Sequence, residues 1–324
     1  MSGDHIRWTF FASIALVDVI LSHFVGIRII IGPWFLTLSI CLVIVYAIYR
    51  IVRPNVHLAE LSSAAMQYLA LGWSLTVLSC LVAAFDFPLI DSTLAKVDAA
   101  LGMSWIGVFD FVRSRQWLNN ILGIGYDSIL PQTVLLFIWL NAAGRFQRIY
   151  EFISLSALTL GISVAVSAVL PAAGAFVTYD VLSLVKADYI SLFFGLRDGS
   201  ITELPLSKVG GIIQFPSFHT ALAILLSYAA RNVRLLFPIF AVANAVVISA
   251  TPTMGGHHFA DVIAGAIITV ATIGAMRAYQ RRVSRDSMTS VADAPPLSTS
   301  TNAVTSIPPI SATRVVQSAG RTRA

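Results

Sequence analysis

Three side chains suited to phosphoryl transfer stand at the edges of apolar runs in the C-terminal third of the chain. They are His219 in GIIQFPSFHTALAILL (Gly211 to Leu226) and His257 and Asp261 in TPTMGGHHFADVIAG (Thr251 to Gly265). A spacing of four puts His257 and Asp261 on one face of a helix, where the carboxylate can hold one ring nitrogen of the imidazole. The other nitrogen is then free to attack. In the first run Pro216 suits the opening turn of a helix, Ser217 offers a hydroxyl, and the early backbone amides, lacking intrahelical partners, point at any bound anion. His219, one turn in, is placed to protonate a leaving oxygen. Gly255 and Gly256 let the backbone come close to a ligand just ahead of His257. His258 points elsewhere on the helix and reads as a packing or interfacial residue.

PSFH followed by an apolar helix, with HxxxD about forty residues on, resembles the second and third signature motifs of the type 2 phosphatidic acid phosphatase superfamily. FPSFHTALA with TPTMGGHHFADVIAG is most similar to the bacterial branch that resembles fungal inositol phosphorylceramide synthase and, more distantly, sphingomyelin synthase. The motif-bearing resemblance covers about Arg197 to Gly265; elsewhere it is one of general layout. It implies that His257 is the residue phosphorylated, that Asp261 orients it and that His219 is the general acid. It also implies a six-helix catalytic core.

Two departures bear on the substrate. The phosphatase pattern has Arg six residues before the motif-three His, where this chain has Thr251. The first signature, Lys followed seven residues later by Arg-Pro, has no match at Lys96, Lys186 or Lys208, and the one Arg-Pro pair, Arg53-Pro54, lies far upstream. A phosphodiester, carrying less charge, is thereby favoured relative to the phosphatases. Arg197 and Lys208, in the loop from Thr178 to Val209 that leads into PSFH, become the candidates to neutralise a phosphate. With Ser217 and Gly256 they make up the expected substrate-binding set.

These residues need a scaffold, and its composition is that of a membrane protein. The 324 residues are 57% hydrophobic and only 11% charged, with mean hydropathy +0.81, far too apolar for a soluble domain of this size. A net charge of +5 could suggest nucleic acid, but the basic residues are scattered between apolar spans and in the tail, where orientation in the bilayer explains them; no nucleic-acid partner is expected. Cys41 and Cys80 both lie in apolar segments, which argues against a disulfide or a thiolate metal site, and no carboxylate cluster suits a metal. No metal or cofactor is expected. The N-terminus MSGDHIRW runs into an apolar segment without a cleavage pattern, so a retained first helix is expected.

The expected fold is all-α, a polytopic bundle of about eight transmembrane helices. At about 20 apolar residues per crossing, the spans fall near 8–27, 29–49, 67–87, 129–144, 152–177, 211–230, 235–254 and 257–276. Arg50, Arg53, Arg145, Arg148, Arg231 and Arg234 follow even-numbered spans, as do Arg277, Arg281, Arg282 and Arg285, which predicts cytoplasmic N- and C-termini. His219 and His257 then emerge together on the outer face, in a bacterial inner membrane the periplasmic one. The expected organisation is two N-terminal helices with a cytoplasmic loop (1–66), a six-helix core (67–280) and a disordered Ser/Thr/Pro/Arg-rich cytoplasmic tail (281–324). Within the core, 91–127 mixes aromatics with charges, as interfacial amphipathic helices do, and reads as lying on the membrane surface beside the site. Asp18, inside the first span, reads as a structural polar contact.

The functional expectation is a metal-independent lipid-phosphate phosphatase or phosphotransferase that works through a phosphohistidine at the outer leaflet. One alternative is a phosphodiester headgroup transferase of the inositol phosphorylceramide synthase type. Another, of a different class, is a non-catalytic lipid-binding or transport protein on the same fold. The expected partners are a lipid phosphate or phospholipid and the membrane; the oligomeric state is left open.

Overall fold

The computed structural model describes residues 2–206 and 211–292, with side chains for 3–206 and 211–285. Lys208 and most of the expected tail lie outside the described residues. The chain divides into two units, Met1–Tyr279 and Gln280–Ala324, so the first two helices belong to the same unit as the rest of the bundle.

The chain begins with α1 (Ser2–Val25), a short strand β1 (Arg28–Ile30), α2 (Pro33–Ala47) with a π-helical end to Val52, and α3 (Val56–Ala83). Three short helices follow, α4 (Asp91–Ala100), α5 (Trp105–Arg113) and α6 (Gln116–Asp127), then α7 (Ile129–Ala142) and α8 (Phe146–Val169). A single turn α9 (Ala175–Thr178), α10 (Asp188–Arg197) and β2 (Glu203–Pro205) lead to α11 (Phe218–Ala229), α12 (Leu236–Gly255) and α13 (Phe259–Ala292). Local sequence sets several of these starts. Pro33 opens α2, Asn55 accepts the Leu58 N–H at the head of α3, and Ser104 accepts the Gly107 N–H at the head of α5.

Six of the helices, α1, α2 with its π turn, α3, α8, α12 and α13, are long and apolar enough to cross a membrane. The pair α6 and α7, joined through a 47° bend, is together long and apolar enough to make a seventh. Residues 116–127, expected on the membrane surface, form α6, which packs along α12 and runs into α7. The expected sixth span, 211–230, is helical only over α11. Twelve helical residues reach about 18 Å, short of a hydrocarbon core of about 30 Å. Residues 211–217 are non-helical, which a membrane protein tolerates where the backbone is enclosed by protein; the Ser217 N–H donates to Asp261 O (3.1 Å) and Gln214 O accepts from a histidine.

Helix α3 packs against α1, α2 and α8, while α11 is held between α8 and α12. Leu71, Leu75, Leu136, Phe152 and Phe240 are fully buried where these helices meet. No residue of α2 is buried, and Leu36, Ile40, Val43 and Ile44 face outward, as expected where the solvent is lipid. Hydroxyls inside the spans return to their own helix: Ser74 to Ala70 O, Thr251 to Val247 O, Thr269 to Gly265 O.

The two ends differ in chemistry. At one, Arg7 reaches Gln67 (2.5 Å), Tyr150 donates to Glu60 (2.6 Å), Arg231 pairs with Glu151 (2.6 Å), and Arg148 donates to the Arg231 carbonyl. At the other, β1 pairs in parallel with β2, Arg28 opposite Glu203, tying the first interhelical loop to the segment that leads into 211–217.

Candidate active site

At the end opposite the arginine pairs, α12 stops at Gly256, whose φ of +71° is left-handed. A side chain there would also strike the Phe176 ring, 2.5 Å from an added Cβ, while the Gly256 carbonyl accepts the Ala175 N–H at 2.6 Å. Gly256 is therefore accounted for by its close approach to α9. His257 and His258 occupy the non-helical link before α13.

His257 and Asp261 thus do not share a helix face as the spacing suggested. Asp261 sits in the first turn of α13 and reaches back, its Oδ2 accepting the His258 N–H at 2.8 Å and standing 3.4 Å from His257 Nδ1. His257 Nδ1 is 2.8 Å from the Gln214 carbonyl oxygen. A carbonyl can only accept, so the ring proton belongs on Nδ1 and the lone pair on Nε2. Among the described residues Nε2 has no hydrogen-bond partner. His257 is 2% exposed and Asp261 is fully buried. Burial pushes the His257 imidazole down to about 4; the hydrogen bond to Gln214 O acts against this, and the charge of His258 adds to it.

His219 lies in the first turn of α11, its ring stacked on Tyr126 of α6 (centroids 4.5 Å apart, planes at 16°) and 6.3 Å from the His257 ring centroid. The two histidines, from segments 38 residues apart in sequence, share one pocket with Tyr126 at its side. Direct contact of α13 with the PSFH turn sets this register: a Cβ on Gly265 would lie 2.3 Å from Ser217 O.

A roof closes over the link. Trp105 Nε1 of α5 donates to His257 O (3.0 Å), and its ring stacks on Tyr179 and Phe109. Asp98 of α4 accepts the N–H groups of Phe259 and Ala260. His258, expected as a packing or interfacial residue, is fully buried under this roof among acids.

The remaining expected site residues are placed elsewhere or otherwise engaged. Ser217 is fully buried, its oxygen accepting from Thr220 as the cap of α11, so it has no surface to offer a ligand; Pro216 lies outside the helix. The Arg197 guanidinium pairs with Asp86 (2.5 Å) and donates to Phe87 O (2.7 Å), beside a pocket lined by none of His219, His257 and Asp261. An ion pair and a carbonyl hold it at the end of α3. Thr251 is buried, with its hydroxyl turned to Val247 O, and Arg53-Pro54 follows α2 at the opposite end.

A family model described as the PAP2 superfamily matches residues 92–275, more than half of the chain. No curated protein and no solved structure matches the sequence.

Proposed function

This chain belongs to the PAP2 superfamily, a membrane family of phosphatases and phosphotransferases, and we propose that it transfers the phosphoryl group of a lipid phosphate through His257 at the outer leaflet. The observation that carries the reading is the pair of contacts on His257 Nδ1, Gln214 O and Asp261, which leave Nε2 as the free nucleophile beside His219. In this reading Nε2 bonds to phosphorus as the bond to the leaving oxygen breaks, and Asp261 stabilises the charge that develops on the ring. Burial, helped by the charge of His257, holds the His219 imidazole down to about 3, so it gives the departing oxygen its proton from a small protonated fraction. Water, or the hydroxyl of an acceptor, then attacks phosphorus and yields its proton to His219 as the P–N bond breaks, which restores both histidines.

A second reading, transfer of a phosphodiester headgroup to an alcohol, is favoured by Thr251 standing, buried and turned away, where the phosphatase pattern has Arg. The two separate in one experiment on sealed vesicles of known sidedness. Labelled phosphatidic acid or phosphatidylinositol is supplied in the outer leaflet, with or without an alcohol acceptor. Release of free phosphate from the first establishes hydrolysis; label moving to the acceptor from the second establishes transfer. Label reaching neither, at any lipid, would leave only a binding role.

Two expectations follow from the geometry. Replacing His219 with Ala should slow lipid phosphates by about 10²- to 10⁴-fold and activated aryl phosphates far less, because only a poor leaving group needs the proton. Equal losses on both would remove its acid role. The burial of His257 also sets a pH dependence. Its imidazole is neutral above about 4 in the folded protein, against an ordinary 6.5, so single-turnover phosphorylation should persist down to near pH 4. The same shift predicts that stability present above pH 6.5 is lost as pH falls toward 4, because the unfolded chain takes up the proton first. A rate that halves at pH 6.5 with the protein still folded would contradict the buried neutral ring.

A further inference from the structure

The adjacent imidazoles of the α12–α13 link sit in opposite surroundings. His257 meets a carbonyl, whereas both ring nitrogens of His258 face acids of α4: Nδ1 is 3.4 Å from Asp98 Oδ2 and Nε2 is 3.8 Å from Asp91 Oδ1. Nε2 is also 3.2 Å from the Thr178 hydroxyl. Asp91 and Asp98 stand seven residues apart, about two turns, on one face of α4. Each carboxylate is already bound to main chain. Asp91 accepts the N–H groups of Ala173 (2.9 Å) and Gly174 (2.7 Å), and Asp98 those of Phe259 (3.0 Å) and Ala260 (2.8 Å). Asp98 and His258 are fully buried, where an uncompensated anion is costly and a cation between two of them offsets the cost.

The backbone bearing His257 is clamped by the same segment. Gly256 O accepts from Ala175 N, His257 O from Trp105 Nε1, and the His258 N–H goes to Asp261. We propose that His258 is a positioning residue for His257: as an imidazolium between Asp91 and Asp98, it locks α4 and α9 onto the first turn of α13 and thereby fixes the backbone on which the nucleophile is carried. The inference rests on the reading of His257 as nucleophile. The groups facing His258 are Asp91 and Asp98 from α4, Thr178 and Tyr179 at the end of α9, Asp261 from α13, and His257 itself. Burial works against its charge, but the nearby carboxylates of Asp91, Asp261 and Asp98 outweigh it and raise the ring above its ordinary value. That charge adds to the burial that keeps His257 neutral.

The test uses the full chain in nanodiscs as wild type, His258→Gln and Asp98→Asn, each also in a His257→Ala background, with labelled short-chain phosphatidic acid as the probe. In His258→Gln we expect kcat to fall about 10- to 100-fold with KM within about twofold, as when geometry is lost but binding is kept. The alkaline decline of kcat that tracks loss of the His258 proton should vanish. An unchanged kcat and pH profile would overturn the proposal. Thermal unfolding decides the lock without turnover. A group raised in the folded state contributes stability that is full below its unfolded value, 6.5, and is lost as pH rises through the folded one. The His257→Ala protein should therefore lose thermal stability as pH rises above 6.5. Its His258→Gln and Asp98→Asn derivatives should be less stable below that pH and lack this loss. Parallel melting curves in all three would overturn the lock. Should His258→Gln fail to fold, Asp98→Asn carries the comparison, since Asn still accepts one of the two α13 N–H groups. Absence of turnover in the wild type would count against the phosphoryl-transfer reading alone, and the melting series would still decide the ion pair.

Discussion

His257→Ala is expected to eliminate the phosphoenzyme and to lower turnover by about 10⁴-fold or more, the scale seen when a covalent nucleophile is removed. No neighbouring group can substitute: His258 is turned into the acids of α4, and His219 is held against Tyr126 on another helix. The fold should survive. The variant loses one hydrogen bond, to Gln214 O, worth about 0.5–1.5 kcal/mol, while the clamps on Gly256 O, His257 O and the His258 N–H involve main chain that alanine retains. Acid-labile label trapped on wild type and absent from a folded, extractable His257→Ala protein is the expected result. Full turnover by that variant would reject the phosphohistidine route.

Gly265→Ala should be nearly as damaging although it touches no reacting group. The added Cβ would fall 2.3 Å from Ser217 O and 3.1 Å from Ser217 C, atoms of a backbone that cannot rotate away. The helix must therefore move off the PSFH turn, at a cost of about 1–3 kcal/mol or more. That motion stretches the Ser217 N–H bond to Asp261 O and carries Asp261 away from His257. A misplacement near 1 Å can cost about 10²-fold in rate, so we expect kcat to drop by at least that factor, with lowered thermal stability. Gly274→Ala on the same helix, where nothing lies within 4 Å, is the control and should keep the wild-type rate and lose no stability. Wild-type rate and stability in Gly265→Ala would show that this contact does not set the geometry.

The sequence was most legible where chemistry rides on side chains. The types of His219, His257 and Asp261 mark them out, although the spacing of the last two suggests a shared helix face that the link does not provide, and apolar length alone reveals most of the helices long enough to cross. It was least legible where main chain acts. Gln214 holds the His257 ring through its carbonyl, which any residue type would supply, so composition carries no sign of it. A hydroxyl beside an anion-binding turn and a hydroxyl capping a helix look alike in one dimension, and it is burial that shows Ser217 in the capping position. Arg197 was chosen by charge, and its partner Asp86 lies more than a hundred residues away in the chain. Asp91 and Asp98 left a fainter sign, two acids on one face of a helix otherwise read as interfacial. What one dimension hides is the packing of 116–127 along α12, because the segment is amphipathic and leaves Trp117, Ile121 and Ile124 outward.

That reliance on the peptide unit shapes how this protein can drift over generations. At 214 and at 175 the group that matters to His257 and its link is an atom that every amino acid, or every one but proline, possesses. Descendants could exchange those side chains for others that pack, and His257 would keep its tautomer. A search for invariant letters would overlook both positions, although a kink inserted at either would disarm the enzyme.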